Sequence, residues 1–218
     1  MNHPIFHAAH PPALDSGFDS GDWENCRVLK VDVFRPEGSG HHPETRFRLQ
    51  YDGAGLYGLF AVRDRYVRCV AEKFQDPVCR DSCVEFFVQP TGGAGYLNFE
   101  FSAAGTMLAQ QHPDVNRPRD VIRPLTETEV AGVRIFHSLP GRTDGEITEE
   151  IRYELGFFLP FSIFAGACGA PVPTAGTVWR GNVYKCGDHT SHPHWASWRP
   201  VRRLDFHDPE CFGGLVFE

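Results

Sequence analysis

Residues 45–51 (TRFRLQY) alternate polar and apolar side chains at almost every step. That period of two belongs to an extended strand with one buried face. Asp52-Gly53-Ala54-Gly55 supplies turn chemistry, and residues 56–62 (LYGLFAV) read as the returning strand of a hairpin. Residues 83–88 (CVEFFV) and 96–101 (YLNFEF) repeat the arrangement across PTGGAG. The same reading predicts strands at 133–137, 147–155, 178–185 and 214–217. No amphipathic helix of ten or more residues is legible, and 161–164 is expected to make one short turn. With 22 Gly and 17 Pro punctuating short strands, the expected fold is all-β: an antiparallel β-sandwich of two packed sheets. No repeat or linker divides the chain, so residues 1–218 are expected to form a single domain, with residues 1–20 a loosely ordered N-terminal segment.

Charge and cysteine usage narrow the function classes. Twenty-one basic against 28 acidic residues leave a net charge of −7, and no Lys/Arg run could follow a phosphate backbone. Nucleic acid and anionic membrane surfaces are therefore not expected as partners. No apolar stretch approaches the roughly 20 residues needed to span a bilayer. The start, MNHPIFHAAHPPALDSG, has neither the basic nor the apolar region of a signal peptide. Seven cysteines without regular spacing suit free thiols in a reducing compartment, and the expected location is cytoplasmic.

The densest chemistry lies in residues 182–198, NVYKCGDHTSHPHWASW. One face of a pyranose is a patch of C–H groups that packs on an aromatic ring, while its hydroxyls seek hydrogen-bonding side chains. Trp195, Trp198 and Tyr184 could supply the ring, and Asp64, Arg80, Asp81, Asn182 and Asp188 the polar partners. Trp179, at the head of an apolar strand, reads as core, whereas Trp195 and Trp198 sit among Pro, Ser and His in a loop-like segment. A transition metal is a competing reading, with Cys186, His189, His192 and His194 as candidate ligands. Their spacing lacks the paired pattern of a structural zinc site. If the segment around Pro193 is extended, His192 and His194 point the same way, as chelation requires. Asp15, Asp19 and Asp22 in DSGFDSGDW are candidate calcium ligands, or ordinary turn and capping groups.

Enzymatic signatures are sparse. There is no G-x-S-x-G, phosphate loop or dinucleotide fingerprint. The obvious carboxylate pair for glycoside hydrolysis is Asp81 and Glu85, but four residues along one strand span about 13 Å. Such hydrolysis needs carboxyls about 5–9.5 Å apart. Glu85 shares a strand face with Phe87, opposite Val84, Phe86 and Val88, and is expected to meet a partner such as an arginine.

Several stretches combine into a resemblance. Asp64 follows the second hairpin strand; then come DPVCRDSCVEFF (76–87), YLNFEF (96–101), WRGNVYKCGD (179–188) and DFHDP with FGGL (205–215). Their order resembles the family 9 carbohydrate-binding module and its uncharacterised relatives, with a D-S-x-x-E-F-F strand, a Y-x-N-F-E strand and a C-terminal F-G strand. The resemblance covers about residue 20 to the end. It implies a sandwich of jelly-roll or immunoglobulin-like type that binds sugar without chemistry, often with structural calcium and often attached to glycan-degrading enzymes. No cofactor is required by this reading. In sugar-binding members an aromatic before the acidic strand and a late tryptophan clamp the ligand. Here the first position falls at Val78 or Cys79, the nearest aromatic is Phe74, and the second position falls at Trp195 or Trp198. The expectation is therefore a one-sided platform. The alternative is a metal-dependent enzyme on the same sandwich, built on Cys186, His189, His192 and His194.

Overall fold

A computed structural model describes residues 2–116 and 120–218. Its first hairpin joins β4 (Glu44–Tyr51) to β5 (Gly55–Asp64), and Asp52 Oδ1 accepts from the turn amides of Ala54 and Gly55. β5 pairs along its length with β11 (Ile151–Pro160), which pairs with β10 (Arg134–His137). The second sheet is built on β6 (Cys83–Gln89), β7 (Tyr96–Ser102) and β8 (Met107–His112), edged by β9 (Arg123–Pro124). On its other side β6 pairs with β12 (Val178–Cys186), which pairs with both β14 (Gly213–Phe217) and β13 (Trp195–Ser197). Two short strands, β2 (Leu29–Lys30) and β3 (Val33–Phe34), lie against β4 and β13.

The inward alternation packs the two sheets face to face. Phe47, Leu49, Phe60, Leu155 and Phe157 of one meet Val84, Phe86, Phe99 and Phe101 of the other, all fully buried. Phe157 sits 5.7 Å from Phe86 and 5.2 Å from Phe101, ring to ring, so aromatic contacts run through the centre of the core. Burial on this scale is the dominant favourable term in folding.

Two expectations need correction. The sheet is mixed, not purely antiparallel, and its first residues are ordered: β1 (Asn2–His7) runs parallel to β14 through Asn2–Ile5 and parallel to β4 through Phe6 and His7. One strand thus crosses from sheet to sheet, anchored by fully buried Ile5. Residues 13–26 are likewise held, because Phe18 and Trp23 bury against Tyr57 and Phe158 on the outside of β5 and β11.

Smaller differences have local causes. β11 begins at Ile151, later than expected, because Ile147 makes only an isolated bridge to Val67. The turn at 161–164 continues into α1 (Phe161–Cys168), whose Phe161, Phe164 and Cys168 share one buried face. Gly169 ends it at φ +67°, its amide bonding back to the last turn, as a left-handed C-cap requires. β8 lies outside the strands the sequence predicts: MLAQQH carries no β-branched residue, and pairing with β7 holds it.

Candidate functional site

The outer face of the second sheet carries the site, and strand register assembles it. Cys186 on β12 lies opposite Cys83 of β6 on one side and Trp195 of β13 on the other. In the next row on the same face, Tyr184 lies opposite Glu85, and Glu85 opposite Glu100 of β7. Directly opposed residues point to the same side of a pleated sheet with Cβ atoms about 4.5–5.5 Å apart. Two covering segments enclose these rows. One is the short 3-10 turn Val78–Arg80, tied to the loop after β12 by the Asp188 amide on the Cys79 carbonyl (3.0 Å). The other is the stretch 204–207, whose Phe206 stacks on Tyr184 at 4.0 Å. Between them is a cavity of about 360 Å³ walled by Trp195, Phe206 and Leu204, with Glu85, Glu100, Cys186, Asp188, Asp205 and His207 among its lining residues.

Each wall is fixed from behind. Trp195 Nε1 donates to Asp188 Oδ1 at 2.8 Å, setting the plane of the indole. Tyr184 donates its hydroxyl to the Phe206 carbonyl at 3.1 Å, so the ring it stacks on is also held by its backbone. On the floor, His112 Nε2 donates to Asn98 Oδ1 (3.0 Å) and Asn98 Nδ2 donates to Glu100 Oε1 (2.8 Å). Glu85 receives the Cys186 thiol at 3.1 Å.

The electrostatics are unusual for a floor this deep. Glu85 and Glu100 are 2% and 6% exposed, and among the described residues neither forms an ion pair. Burial raises Glu100 to about 7; burial together with the Glu100 charge raises Glu85 well above the usual carboxylate range. Near neutrality the pair therefore retains a proton and offers both a donor and acceptors. The arginine expected beside Glu85 is not there. Tyr184 and Glu100 stand directly opposite it instead, and the Cys186 thiol, one row away, donates to it.

The residues named from sequence divide sharply. Trp195, Asp188 and Cys186 meet in the cavity, and Tyr184, fully buried, supports it from beneath. Cys79 lines the cavity at the position expected for the first aromatic jaw, whereas Val78 is buried. Asn182 acts as a clamp, its side chain bonding the amide and carbonyl of Arg199 at 2.9 and 3.0 Å. Trp198 projects from the other side of β13, edge-on to His3 at 5.9 Å and packed on the core. Trp179 is 1% exposed among Phe161, Phe164 and Phe217. Asp81 is bonded to Arg68 and to the amides of Val70 and Ala71 at 2.8 Å, which also removes it from any pairing with Glu85. Arg80 is exposed beside a separate depression that it shares with His189. Phe74 belongs to another cleft, of about 540 Å³, with Met107, Val130 and Ile135.

Asp64 lies on the opposite side of β12 from the cavity floor. It pairs with Lys185 Nζ at 3.1 Å and with His41 Nε2 at 2.7 Å, and Lys185 donates in turn to His194 Nε2 at 2.9 Å. His194 Nδ1 donates to the His192 carbonyl at 2.9 Å. Burial, and then the nearby Lys185 ammonium, lower His194 to about 3, so the imidazole is neutral and can accept.

This arrangement disperses the expected metal ligands. His192 and His194 do turn to one side, 6.2 and 5.2 Å from the His41 ring, but His192 is stacked on Tyr66 at 3.7 Å and His194 is engaged by Lys185. His189 is exposed, and Cys186 faces the other way, toward Glu85. The enzyme reading built on these four loses its site. The calcium candidates do not fit a calcium ion either: Asp15 is exposed, Asp19 pairs with Arg46 and Arg48, and Asp22 accepts from the Ala13 amide at 3.1 Å. Among the described residues these three do not come within ligand distance as a set.

The model for carbohydrate-binding family 9 matches residues 19–217. The chain belongs to carbohydrate-binding family 9. A solved structure from Bacteroides uniformis, described provisionally as a carbohydrate-binding protein, is similar at 32% identity and a TM-score of 0.84, over 100% of this chain and 97% of that one. Two structures of a family 9 module from Caldicellulosiruptor kristjanssonii, one with glucose and one with cellotriose, share the fold at 13% identity and a TM-score of 0.63. They are matched over 99% of this chain and over 95% and 93% of theirs. No curated protein matches the chain. Of the family 9 stretches read from sequence, 83–87, 96–100 and 184–188 line or support the cavity, and 205–207 cover it. Sequence reasoning assigned no role to Glu100, Phe206, Asp205 or His207. A signal existed for Glu100: it falls on the polar face of YLNFEF, opposite Glu85 across the hairpin.

Proposed function

We propose that this family 9 chain binds a saccharide, without chemistry, in the cavity between Trp195 and residues 204–207. The observation that carries the reading is an indole held by Asp188 on the wall of a cavity of about 360 Å³ whose floor is carboxylic. The volume sits at the small end of ligand sites, about 300–1,000 Å³, and suits one or two sugar rings. The C–H face of a pyranose would lie on Trp195, and its hydroxyls would meet Glu100, Asp188 and Asp205. With Cys79 where a second ring would stand, the platform is one-sided. The neighbours' complexes with glucose and cellotriose point to the same ligand class. In this reading the chain serves carbohydrate breakdown by holding a glycan for catalytic partners.

Calorimetric titration with glucose, cellobiose and a panel of other mono- and disaccharides tests the reading. A one-sided platform predicts a Kd between about 1 μM and 1 mM, or roughly −8 to −4 kcal/mol. Trp195→Ala should abolish the heat of binding. Silence of the unaltered protein across the whole panel would sink the proposal.

A further inference from the structure

The floor of the cavity carries a second chemistry that sugar recognition does not use. Cys83 and Cys186 face each other across β6 and β12, and Glu85 follows Cys83 by two residues on the same face. The two sulfurs and a Glu85 carboxylate oxygen all lie within 4.8 Å of one another, with Cys186 Sγ to Glu85 Oε1 at 3.1 Å. All three residues are buried, and among the described residues no other three such side chains converge this way. Among the described residues Glu85 forms no ion pair. Lys185, their neighbour on β12, points to the opposite face, where Asp64 and His194 engage it. A cluster of two thiols and a carboxylate beside a cavity, with no ion-pair partner among the described residues, is arranged as a cation site would be.

We propose that Cys83, Cys186 and Glu85 bind a divalent metal ion of the zinc type, with its fourth position turned toward Glu100 and the cavity. The donor set selects the metal: two sulfurs suit a borderline ion such as zinc, and disfavour calcium and magnesium, which take oxygen ligands. Around one tetrahedral zinc, with Zn–S near 2.3 Å and Zn–O about 2.0–2.2 Å, donors lie roughly 3.5–3.8 Å apart. Shifts of about an ångström or less therefore close the set. Three protein ligands plus an open position is the arrangement of an accessible zinc site, and the cavity provides the entry path. Without a metal these groups hold protons: burial raises Cys83 to about 12, and the Cys83 hydrogen bond and burial keep Cys186 well above the usual thiol range. Binding then displaces up to three protons, one from each thiol and one from Glu85, and leaves the complex with a net charge of −1. Affinity should fall as the pH falls. The other titratable groups around the floor are Cys79, Glu100, Tyr184, Asp188, Asp205 and His207, and five of these six can only add negative charge on deprotonation.

The test needs no sugar, so its result is independent of the saccharide reading. The full chain, reduced and stripped with chelator, is titrated with Co²⁺ while the thiolate-to-cobalt charge-transfer absorption is followed. The expected result is saturation at one ion per chain, displacement by Zn²⁺, and a rise in Tm with Zn²⁺ by mass action. Cys83→Ser and Cys186→Ser should each remove most of the band, while Cys26→Ser, in the loop packed outside β5 and β11, should keep it. Glu85→Gln retains both sulfurs and should keep the band but weaken binding at least roughly tenfold, about 1.4 kcal/mol. Should a serine variant not fold, the Glu85→Gln titration and the Zn²⁺-dependent Tm decide. A reduced chain that gives no band, a band that survives both serine variants, or Glu85→Gln affinity equal to that of the unaltered chain would overturn the proposal.

Discussion

Strand β12 buries charge on both of its faces, and the two sides have opposite characters. On one, Lys185, Asp64, His41 and His194 satisfy one another: every charge has a partner within 3.1 Å. Against burial, which would raise it, the Lys185 ammonium and the His41 hydrogen bond hold Asp64 at about 2. On the other, Glu85 and Glu100 stand opposite each other beside two thiols; neither carboxylate is in an ion pair among the described residues, and both are pushed up. The first group is ion-paired within the chain and lies away from the cavity. The second is complete only with something from outside, and it borders the cavity. Buried charge marks a site where it is left unpaired.

The largest effect should come from breaking the paired side. Asp64→Ala leaves Lys185 buried without its counter-ion, and urea unfolding at pH 7 should show a loss of about 3–5 kcal/mol. A loss under about 1 kcal/mol would mean that water or a neighbour compensates, and the contrast would fail.

A middle-sized effect should separate the two sides by pH. Asp64 has a folded pKa below its ordinary value of 3.8, so its stabilisation is complete above that pH and is lost as the pH falls toward about 2. His194, lowered from 6.5 to about 3, acts in the same direction, since the fold resists its protonation below 6.5. Glu100, raised from 4.5 to about 7, acts oppositely: the fold binds the proton more tightly, and stability declines as the pH rises through that window. Glu100→Gln should remove this decline and raise the stability of metal-free protein at pH 8 by on the order of 1–3 kcal/mol. A variant as pH-dependent as its parent between 4.5 and 7 would show that the pair is solvated after all.

The smallest effect on stability should accompany the largest on binding. Trp195 is half-buried on the cavity wall, and Trp195→Ala should cost about 1 kcal/mol while abolishing sugar binding. Trp179→Ala, in the core, should cost about 3–5 kcal/mol. Similar losses from both would place Trp195 in the core and leave the platform without its ring.

Much of this was legible in the residues. The alternation in TRFRLQY and CVEFFV located β4 and β6 to within a residue, because a half-buried strand must repeat every two positions. It also placed Glu85 on the face opposite Phe86. Trp195 and Asp188 could be picked out by their chemistry. Asp64 and Asp81 have the same chemistry, yet their carboxylates are consumed by Lys185 and by backbone amides from segments distant in sequence. Nothing local distinguishes a carboxylate that has found such a partner from one that has not.

The chain's own residues thus determined its class, its main strands and the faces those strands bury, since period and turn chemistry are local properties. Tertiary structure decided the rest. Parallel pairing of β1, the meeting of Glu85 with Glu100 and of Cys83 with Cys186, and the cover of Phe206 over Tyr184 all depend on which strands become neighbours. Register and sheet order are set by burial summed over the whole core, and a window of a few residues carries no record of that sum.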